Sequence, residues 1–173
     1  GNLSYTKFWG ARMISYNQAY QLTIASIRPL ESESVELLAA AGRIAAHDLH
    51  AFIDSPSADV SLKDGYALQA QDIQTASPQN PVRLSLAGNV AAGGNWIGKL
   101  SSGQAVRILS GAPVPQGANA ILAEEFVQAE PGAIQARNVA EPGRNILPRG
   151  SDVACGSLIV PAGQRLYPTM VGL

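Results

Sequence analysis

Glycine and proline residues interrupt the chain at short intervals from Pro56 onward, and this spacing limits the fold more than any other feature. Turn-forming groups recur about every eight to twelve residues, among them Asp64-Gly65, Gly93-Gly94-Asn95 and Pro142-Gly143. The runs between them have strand-like patterns: "VRLSLAG", "QAVRILS", "NAILAEEFVQAE" and "AIQARNVA". Short strands separated by regular turns are typical of a barrel-like coiled sheet. We therefore predict a mainly β fold with some α structure.

One segment near the start of the chain is predicted to be a helix, from Ser15 to about Arg28. Ser15 and Gln18 have the spacing of a capping box, in which each side chain accepts a hydrogen bond from the other residue's backbone N–H. Pro29 should end the helix, because the residue before a proline is pushed out of the helical region. Apolar, aromatic and β-branched residues recur at helical spacing on one face: Tyr16, Tyr20, Thr23, Ile24 and Ile27.

Shorter patterns predict other local features. "SVEL", Ser34 to Leu37, has the pattern of a strand, and the glycine-rich "GNVAAGGNWIG" is expected to form a hairpin loop. "GSLIVPAGQRLYP" is expected to be a hairpin that turns at Pro161-Ala162-Gly163. Glu124 and Glu125 are adjacent in a strand-like run, so their side chains should point to opposite faces. A second helix could begin at Pro168.

The charge balance argues against several classes of function. Twelve Lys and Arg residues and thirteen Asp and Glu residues give a net charge of -1, so no basic excess indicates binding to nucleic acid or to an anionic membrane. No apolar run approaches the ~18 residues of a membrane span. Residues 1–12, "GNLSYTKFWGAR", lack the apolar core of a signal peptide and are expected to be a tag or a disordered extension.

Cysteine and histidine offer little chemistry in this chain. Cys155 is the only cysteine, which excludes an intramolecular disulfide and favours a cytoplasmic location. We expect it to be a buried, inert thiol. His47 and His50 lie three residues apart, but a zinc ion would need further ligands, so both are expected to be surface residues.

Three polar segments contain the residues that could carry chemistry. The first segment, residues 55–68, is "SPSADVSLKDGYAL"; the second, residues 106–115, is "VRILSGAPVP"; the third, residues 145–152, is "NILPRGSD". Taken singly, each is weak evidence, because Asp-Gly is a common hairpin turn and an aspartate near a turn usually brackets it. Their occurrence in a fixed order within one chain is far more specific.

In that order the three segments resemble the signatures of the molybdopterin molybdenumtransferases, the MoeA/gephyrin family. The second resembles Val-Arg-Ile-x-Thr-Gly-Ala-x-Val-Pro, with Ser110 at the threonine position, and the third resembles Asn-Ile-Arg-x-x-Gly-x-Asp. The resemblance runs from about Met13 to Leu173. The first family signature is close to Pro-x-x-Asp-x-Ser-x-x-Asp-Gly-Tyr-Ala, and the residues that match it are Pro56, Asp59, Ser61, Asp64, Gly65, Tyr66 and Ala67.

The resemblance implies a two-lobed MoeA N-terminal-like fold. Residues 13–29 would form a helix that packs on a C-terminal domain outside this sequence. Residues 30–49 and 145–173 would form one elongated lobe, and residues 50–144 an inserted lobe of short strands. The chain is accordingly interpreted as an amino-terminal fragment.

The resemblance also implies an enzyme that inserts molybdate into adenylylated molybdopterin and yields molybdenum cofactor and AMP. Mg2+ or a similar divalent cation would assist. The implied partners are the C-terminal molybdopterin-binding domain, a second copy of the chain in a homodimer, and molybdopterin adenylyltransferase. The fragment alone is expected to be inactive.

Individual roles follow from the matched positions. Asp64 and Asp152 are the implied catalytic and metal-holding carboxylates, because a carboxylate can hold a divalent ion or orient water near a phosphoanhydride. Gly65 would allow a close backbone approach or a positive φ. The implied substrate-binding residues are Ser110, Gly111, Lys63 and Arg149, with Ser110 and the neighbouring backbone amides expected to bind oxyanion oxygens. The implied structural residues of the loop are Asp59, Ser61, Gly65 and Tyr66.

Some positions depart from the family pattern. Lys63 stands where methionine is common, and its charge could pair with Asp64 and lower the pKa of that carboxyl, or attract anionic oxygens. Ser151 replaces a common acid, and Pro148 replaces a basic residue. These departures leave two alternatives open: a diverged relative that acts on a related pterin or metal, and a non-catalytic scaffold or interaction module with the same fold.

Overall fold

The computed structural model describes residues 14–172, which divide into two compact units between Ala40 and Ala41. The predicted tag or extension at residues 1–12 lies outside the described residues. The first unit contains helix α1 (Tyr16–Ser26) and a 3-10 turn (Leu37–Ala39). The predicted strand at Ser34 to Leu37 is therefore wrong. The N–H groups of Ala39 and Ala40 donate to carbonyls three residues earlier, so the backbone closes locally instead of joining a sheet.

Helix α1 begins as the sequence predicts. Gln18 N–H donates to Ser15 Oγ at 3.3 Å, and Ser15 N–H donates to Gln18 Oε1 at 3.0 Å, which confirms the capping box. The helix ends at Ser26, slightly before the predicted position, and Ile27 is already extended with φ -72° and ψ 128°. No residue of α1 is buried among the described residues.

The second unit is built mainly from short strands, so the predicted mainly β fold is confirmed. A second, four-residue helix, α2 (Pro168–Val171), begins at the predicted proline, and two further 3-10 turns span Ala70–Ile73 and Glu124–Phe126. The strands are β1 (Leu49–His50), β2 (Val60–Ser61), β3 (Gly65–Leu68), β4 (Val82–Val90), β5 (Gln104–Ile108), β6 (Ala120–Ala123), β7 (Val127–Glu130), β8 (Ala133–Ala136), β9 (Ile146–Leu147) and β10 (Leu158–Val160).

Six of these strands form one curled, half-barrel sheet in the order β6-β3-β5-β4-β8-β7. All neighbouring pairs are antiparallel except β4 and β5, which run parallel. Two small antiparallel ribbons pair early parts of the chain with late ones: β1 pairs with β10, and β2 pairs with β9. The expected barrel-like coiled sheet is thereby confirmed.

The parallel β4–β5 pair overturns the predicted hairpin at "GNVAAGGNWIG". Gly88 to Val90 belong to β4, and residues 91–103 carry the chain back so that β5 can start at the same end as β4. A tight hairpin can join only antiparallel strands, whereas a parallel pair needs a longer crossover. The glycines of this stretch therefore lie in a strand and a crossover loop.

The predicted hairpin at "GSLIVPAGQRLYP" is also wrong in its pairing. The turn at Pro161-Ala162-Gly163 is present, but the chain on its two sides does not pair with itself. Strand β10, before the turn, pairs with β1, and Arg165, after the turn, bridges to Ile44. Both flanks use an earlier part of the chain as their partner, and a local pattern cannot show this.

The strand-like run "NAILAEEFVQAE" is broken into two strands. Glu124 and Glu125 lie in the 3-10 turn Glu124–Phe126 between β6 and β7, so the prediction that they point to opposite faces of a strand is wrong. This turn lets the chain leave β6 at one edge of the sheet and enter β7 at the other edge.

Strand β3 lies inside the sheet and is buried on both faces. Tyr66 and Leu68 pack into one apolar cluster with Ile73, while Ala67 packs into a second cluster with Ile108. Burial on both sides explains why "GYAL" has no polar alternation. The C-terminal end of the first polar segment is thus part of the core of the protein.

Asp54 ties the chain before β2 to the return segment after β9. Its carboxylate accepts hydrogen bonds from the Cys155 backbone N–H at 2.7 Å and from the Arg149 guanidinium. These bonds, led by the one from Cys155, hold the pKa of Asp54 below its ordinary value.

The Cys155 side chain is exposed, so the expectation of a buried thiol is wrong. His47 and His50 are exposed, as expected.

The described helices include none that is both long enough and apolar enough to span a membrane.

Substituting Gly65 tests the close packing of β3 against β6. A Cβ on Gly65 would lie 2.2 Å from the Leu122 carbonyl oxygen and 2.9 Å from Ala123 Cα, both backbone atoms of β6. We expect Gly65→Ala to lower the free energy of unfolding by more than ~2 kcal/mol, the usual scale of overpacking a core. Urea unfolding followed by fluorescence measures this loss.

Gly132→Ala is the matched control. Its Cβ would meet nothing within 4 Å, but its φ is +70°, so only backbone strain of roughly 1 kcal/mol is expected. An equal loss in the two variants would contradict the steric explanation for Gly65.

Asp54 should make stability depend on pH in a defined direction. The pKa of Asp54 is lower in the folded protein than its value of about 3.8 in the unfolded chain. The ionised carboxylate therefore stabilises the fold at pH values above 3.8, and this stabilisation is lost as the pH falls through the pKa of the folded protein. We expect the free energy of unfolding of Asp54→Asn to change less than that of the wild type between about pH 7 and about pH 3. Urea titrations across this range measure the two slopes, and identical slopes would contradict the role given to Asp54.

Candidate functional site

The first and second polar segments are joined by backbone hydrogen bonds. Ser61 N–H donates to the Ala112 carbonyl at 2.9 Å, and Gly111 N–H donates to the Ser61 carbonyl at 2.8 Å. Val114 N–H donates to the Asp59 carbonyl at 2.9 Å. These bonds place the loop before β3 directly against the turn that follows β5.

The first and third segments are joined by the β2–β9 ribbon and by side-chain contacts. Asp59 Oδ1 accepts a hydrogen bond from Arg149 N–H at 2.8 Å. Leu62 N–H donates to the Asn145 carbonyl at 2.9 Å, and Asn145 has a positive φ of 56°. All three segments therefore meet around residues 59–64, although they are far apart along the chain. Asp59 brackets the loop with both its carboxylate and its carbonyl.

Ser61 shapes the turn that presents the charged residues. Its side chain is 2% exposed, and its hydroxyl donates to the Lys63 carbonyl at 2.6 Å and accepts the Lys63 N–H at 3.3 Å. A buried hydroxyl that both donates and accepts a hydrogen bond stabilises a tight local turn. Lys63 and Asp64, which follow, are both exposed. Tyr66, further along, is a core residue of β3.

Asp64 is held in one orientation at the protein surface. Its Oδ1 accepts a hydrogen bond from Ser110 N–H at 2.7 Å, and its carbonyl accepts the Glu124 N–H at 3.1 Å. Hydrogen bonds from the Ser110 amide and then from the Ser110 hydroxyl lower the pKa of Asp64; desolvation opposes them, and the charge of Arg107 lowers the pKa by the smallest contribution. The carboxylate is therefore ionised at neutral pH and exposed at the surface.

The backbone amides of the second segment are already occupied. Ser110 N–H donates to Asp64, and Gly111 N–H donates to the Ser61 carbonyl. The expectation that these amides bind oxyanion oxygens is therefore not met in this conformation. The physical reason is that both N–H groups are used to join the polar segments. An oxyanion near Asp64 would need another donor.

Lys63 and Asp64 point to different surroundings. Lys63 lines a cavity of about 540 Å³ together with Glu125, Glu141 and Arg144. Among the described residues no ion pair joins Lys63 to Asp64, and Arg107 is the cation whose charge lowers the pKa of Asp64. The lowering of the Asp64 pKa that the sequence suggested for Lys63 comes mainly from the hydrogen bonds of Ser110, with a smaller contribution from the charge of Arg107.

Within the described part of the chain, the side chain of Arg149 is bonded to the protein, whereas that of Asp152 is not. The Arg149 guanidinium pairs with Asp54, and its N–H bonds Asp59, so its contacts are internal. Asp152 donates its N–H to the Ser55 carbonyl at 3.0 Å, and its exposed carboxylate accepts no hydrogen bond from the described residues. The structure brings together Asp64 and Ser110, but no contact among the described residues links Asp152 to Asp64.

Arg107 and Glu124 were not predicted as site residues from the sequence. Arg107 Nη2 lies 3.4 Å from Glu124 Oε2, and Glu124 N–H donates to the Asp64 carbonyl at 3.1 Å. Arg107 lies inside "VRILSGAPVP", where a charged residue alternates with buried ones in β5. That alternation was the available signal, since an exposed arginine in an otherwise apolar strand must face a particular surface.

Comparisons with known proteins identify the family of this chain. A family model described as "MoeA N-terminal region (domain I and II)" matches residues 14–173. A molybdopterin molybdenumtransferase of Synechococcus elongatus is 38% identical over 159 residues, which cover 90% of this chain and 40% of the relative. Molybdopterin molybdenumtransferase 2 of Mycobacterium tuberculosis is 37% identical over 157 residues, covering 90% of this chain and 39% of the relative.

A solved structure has the same fold. The crystal structure of the molybdopterin biosynthesis MoeA protein from Pyrococcus horikoshii matches with a TM-score of 0.87 and 34% identity, covering 93% of this chain and 41% of that chain. The chain thus spans about 40% of the length of the relatives it matches. From the family model, the relatives and the shared fold, the chain belongs to the MoeA family, in which it corresponds to the N-terminal region.

Proposed function

We propose that the chain supplies the N-terminal region of an enzyme that inserts molybdate into adenylylated molybdopterin, yielding molybdenum cofactor and AMP. The observation that carries this proposal is the oriented, ionised carboxylate of Asp64 at the junction of the three polar segments. Relatives named molybdopterin molybdenumtransferase, which are more than twice as long as the matched region, support the reaction class.

Asp64 is suited to bind a divalent cation such as Mg2+. Magnesium is commonly bound by one or two carboxylates together with waters and substrate phosphates. Asp64 has this character, because Oδ1 is fixed by the Ser110 N–H and the residue is exposed to solvent. Among the described residues no cluster of three His, Cys, Asp or Glu side chains forms a protein-only metal site. When bound, the ion would supply charge stabilisation at phosphate and leaving-group oxygens.

The other matched residues have secondary roles in the proposed reaction. Asp152, with its uncommitted carboxylate, would add a second acidic group if the substrate or another domain brings it near Asp64. Lys63 would attract an anionic part of the substrate from its side of the loop. Arg149 would act by holding the loop through Asp54 and Asp59 rather than by reaching the substrate itself.

The remaining parts of the enzyme are proposed from the family. A C-terminal molybdopterin-binding domain, a homodimer and delivery of substrate by molybdopterin adenylyltransferase in the cytoplasm would complete the reaction. The relatives' greater length supports the first of these. The chain alone is then expected to show no molybdenum insertion, because most of the pterin-binding surface would lie outside it.

Removing the charge of Asp64 tests its chemical role. Asp64→Asn keeps an oxygen for the Ser110 amide, so the loop should stay folded while the negative charge is lost. In the longer enzyme that contains this region, we expect molybdenum insertion to fall by about 100-fold or more, the scale seen when a group that stabilises charge is removed. Release of AMP and formation of molybdenum cofactor measure the rate.

Asp59→Asn is the matched control for this experiment. It makes the same chemical change in the same loop, at a carboxylate that accepts the Arg149 N–H. We expect activity close to that of the wild type at a temperature at which both variants are folded. Full activity in Asp64→Asn would contradict the proposed function and favour a non-catalytic interaction module. A loss of activity in Asp59→Asn as large as that in Asp64→Asn would show that the loop matters only as a structural unit.

A further inference from the structure

The occupied amides of the second segment leave open which group meets an oxyanion next to Asp64. Ser110 and Gly111 N–H groups are both used within the protein. A tetrahedral oxyanion such as molybdate or a phosphoryl group still needs hydrogen-bond donors of positive character. Arg107 offers such donors close to the Asp64 turn: its guanidinium lies 3.4 Å from the Glu124 carboxylate, and Glu124 N–H donates to the Asp64 carbonyl at 3.1 Å.

We propose that Arg107 is an oxyanion-binding residue of the site, which contacts a tetrahedral oxyanion held beside Asp64. The inference rests on the function proposed above for the choice of oxyanion, but the binding itself can be measured on this chain. Arg107 lies in β5, three residues before Ser110, which belongs to the turn that follows this strand. Its neighbours Val106 and Ile108 are fully buried, so Arg107 points to the opposite, open face.

The hydrogen-bonding groups of Arg107 are largely uncommitted. A guanidinium has five N–H donors. Among the described residues, only Nη2 makes a contact, to Glu124 at 3.4 Å, which is longer than the usual 2.7–2.9 Å of a charged hydrogen bond. The Arg107 and Glu124 side chains are 51% and 54% exposed. Exposed pairs of this kind contribute little to stability, so the pair alone does not explain an arginine at this position.

Arg107 borders a cavity on the side of β5 that faces β4. Arg107 lines a cavity of about 560 Å³ formed with β4 residues Leu86 to Val90, with Ala91, and with Leu109. Of the described residues in this lining, Arg107 is the charged one. Much of the remaining wall consists of small residues, which would let an anion approach the guanidinium closely.

The charges around Arg107 predict that an anion needs a cation beside it. Arg107 is paired with the Glu124 carboxylate, and Asp64 lies in the adjoining turn, so the group of three carries a net negative charge. A free oxyanion is repelled by that group unless a divalent cation neutralises Asp64. We therefore expect oxyanion binding to strengthen when Mg2+ is present or when Glu124 is replaced by Gln.

Nuclear magnetic resonance titrations of the 173-residue chain test this inference. The signals of Arg107 Nε–H and of the Asn89 amide are followed during addition of molybdate, inorganic phosphate or AMP, each with and without Mg2+. We expect saturable shifts that occur at lower anion concentration with Mg2+. Saturation by molybdate alone would identify the metal oxyanion as the ligand, and saturation by phosphate or AMP would identify the phosphoryl group.

Matched variants separate Arg107 from general surface charge. Arg107→Gln should weaken binding by about tenfold or more, as expected for losing hydrogen bonds from a charged group. Glu124→Gln should strengthen binding without Mg2+. Arg83→Gln is the control, because Arg83 forms a similar exposed pair with Glu130 on the same sheet at 3.2 Å, and it should leave binding unchanged.

Two results would overturn the inference: no shift at Arg107 with any of the three anions in the presence of Mg2+, or equal weakening by Arg83→Gln and Arg107→Gln. Neither depends on molybdenum insertion. A failure here together with an inactive Asp64→Asn enzyme would leave the proposed function standing and remove only Arg107 from the site.

Discussion

The paired backbone hydrogen bonds of Ser61 to the turn after β5 are the contact on which the site depends. Its N–H and C=O both bond to that turn, at Ala112 and Gly111, while its hydroxyl closes the turn at Lys63. One short loop is thereby fixed to a segment about 50 residues later in the chain. Since Ser61 is buried, breaking either of its two backbone hydrogen bonds would leave a buried polar atom without a partner, which is costly in free energy.

The position of Asp64 follows from that contact and from the burial of β3. Strand β3 is packed on both faces, so the residue just before it cannot shift without disturbing two apolar clusters. Asp64 therefore combines a rigid backbone with an exposed carboxylate, and Ser110 supplies the bond that orients it. A preorganised charge of this kind stabilises a developing charge without reorganising during the reaction. The same arrangement uses up the nearby amides, which is why the guanidinium of Arg107 becomes important.

Features that depend on neighbouring residues could be predicted from the sequence, and features that depend on distant pairing could not. The capping box of α1 and the start of α2 at Pro168 are local, and both are present. The glycine-rich stretch before β5 has the composition of a hairpin, but parallel pairing of β4 and β5 turns it into a crossover. Likewise, the chain around Pro161 turns as predicted and then pairs with residues more than 100 positions earlier.

The site shows the same division. The motifs identified Asp64 and Ser110, because family signatures preserve the order of residues along the chain. The sequence could not show that Arg107, rather than Lys63, is the cation whose charge acts on Asp64, since this depends on which face of β5 is open. It also could not show that the Ser110 and Gly111 amides are occupied, because their acceptors belong to another segment.

The central claim is that Asp64 is the chemical centre of this region, and the most direct test is to locate the site at which a divalent ion binds. Mn2+ in place of Mg2+ broadens the resonance signals of nearby protons, so it maps the site on the folded chain without any need for turnover. We expect the amides of Asp64, Ser110 and Glu124 to broaden first in the wild type, and this broadening to disappear in Asp64→Asn. Broadening that is centred on the cavity lined by Glu125 and Glu141, or that persists unchanged in Asp64→Asn, would contradict the assignment of Asp64 as the chemical centre of this region.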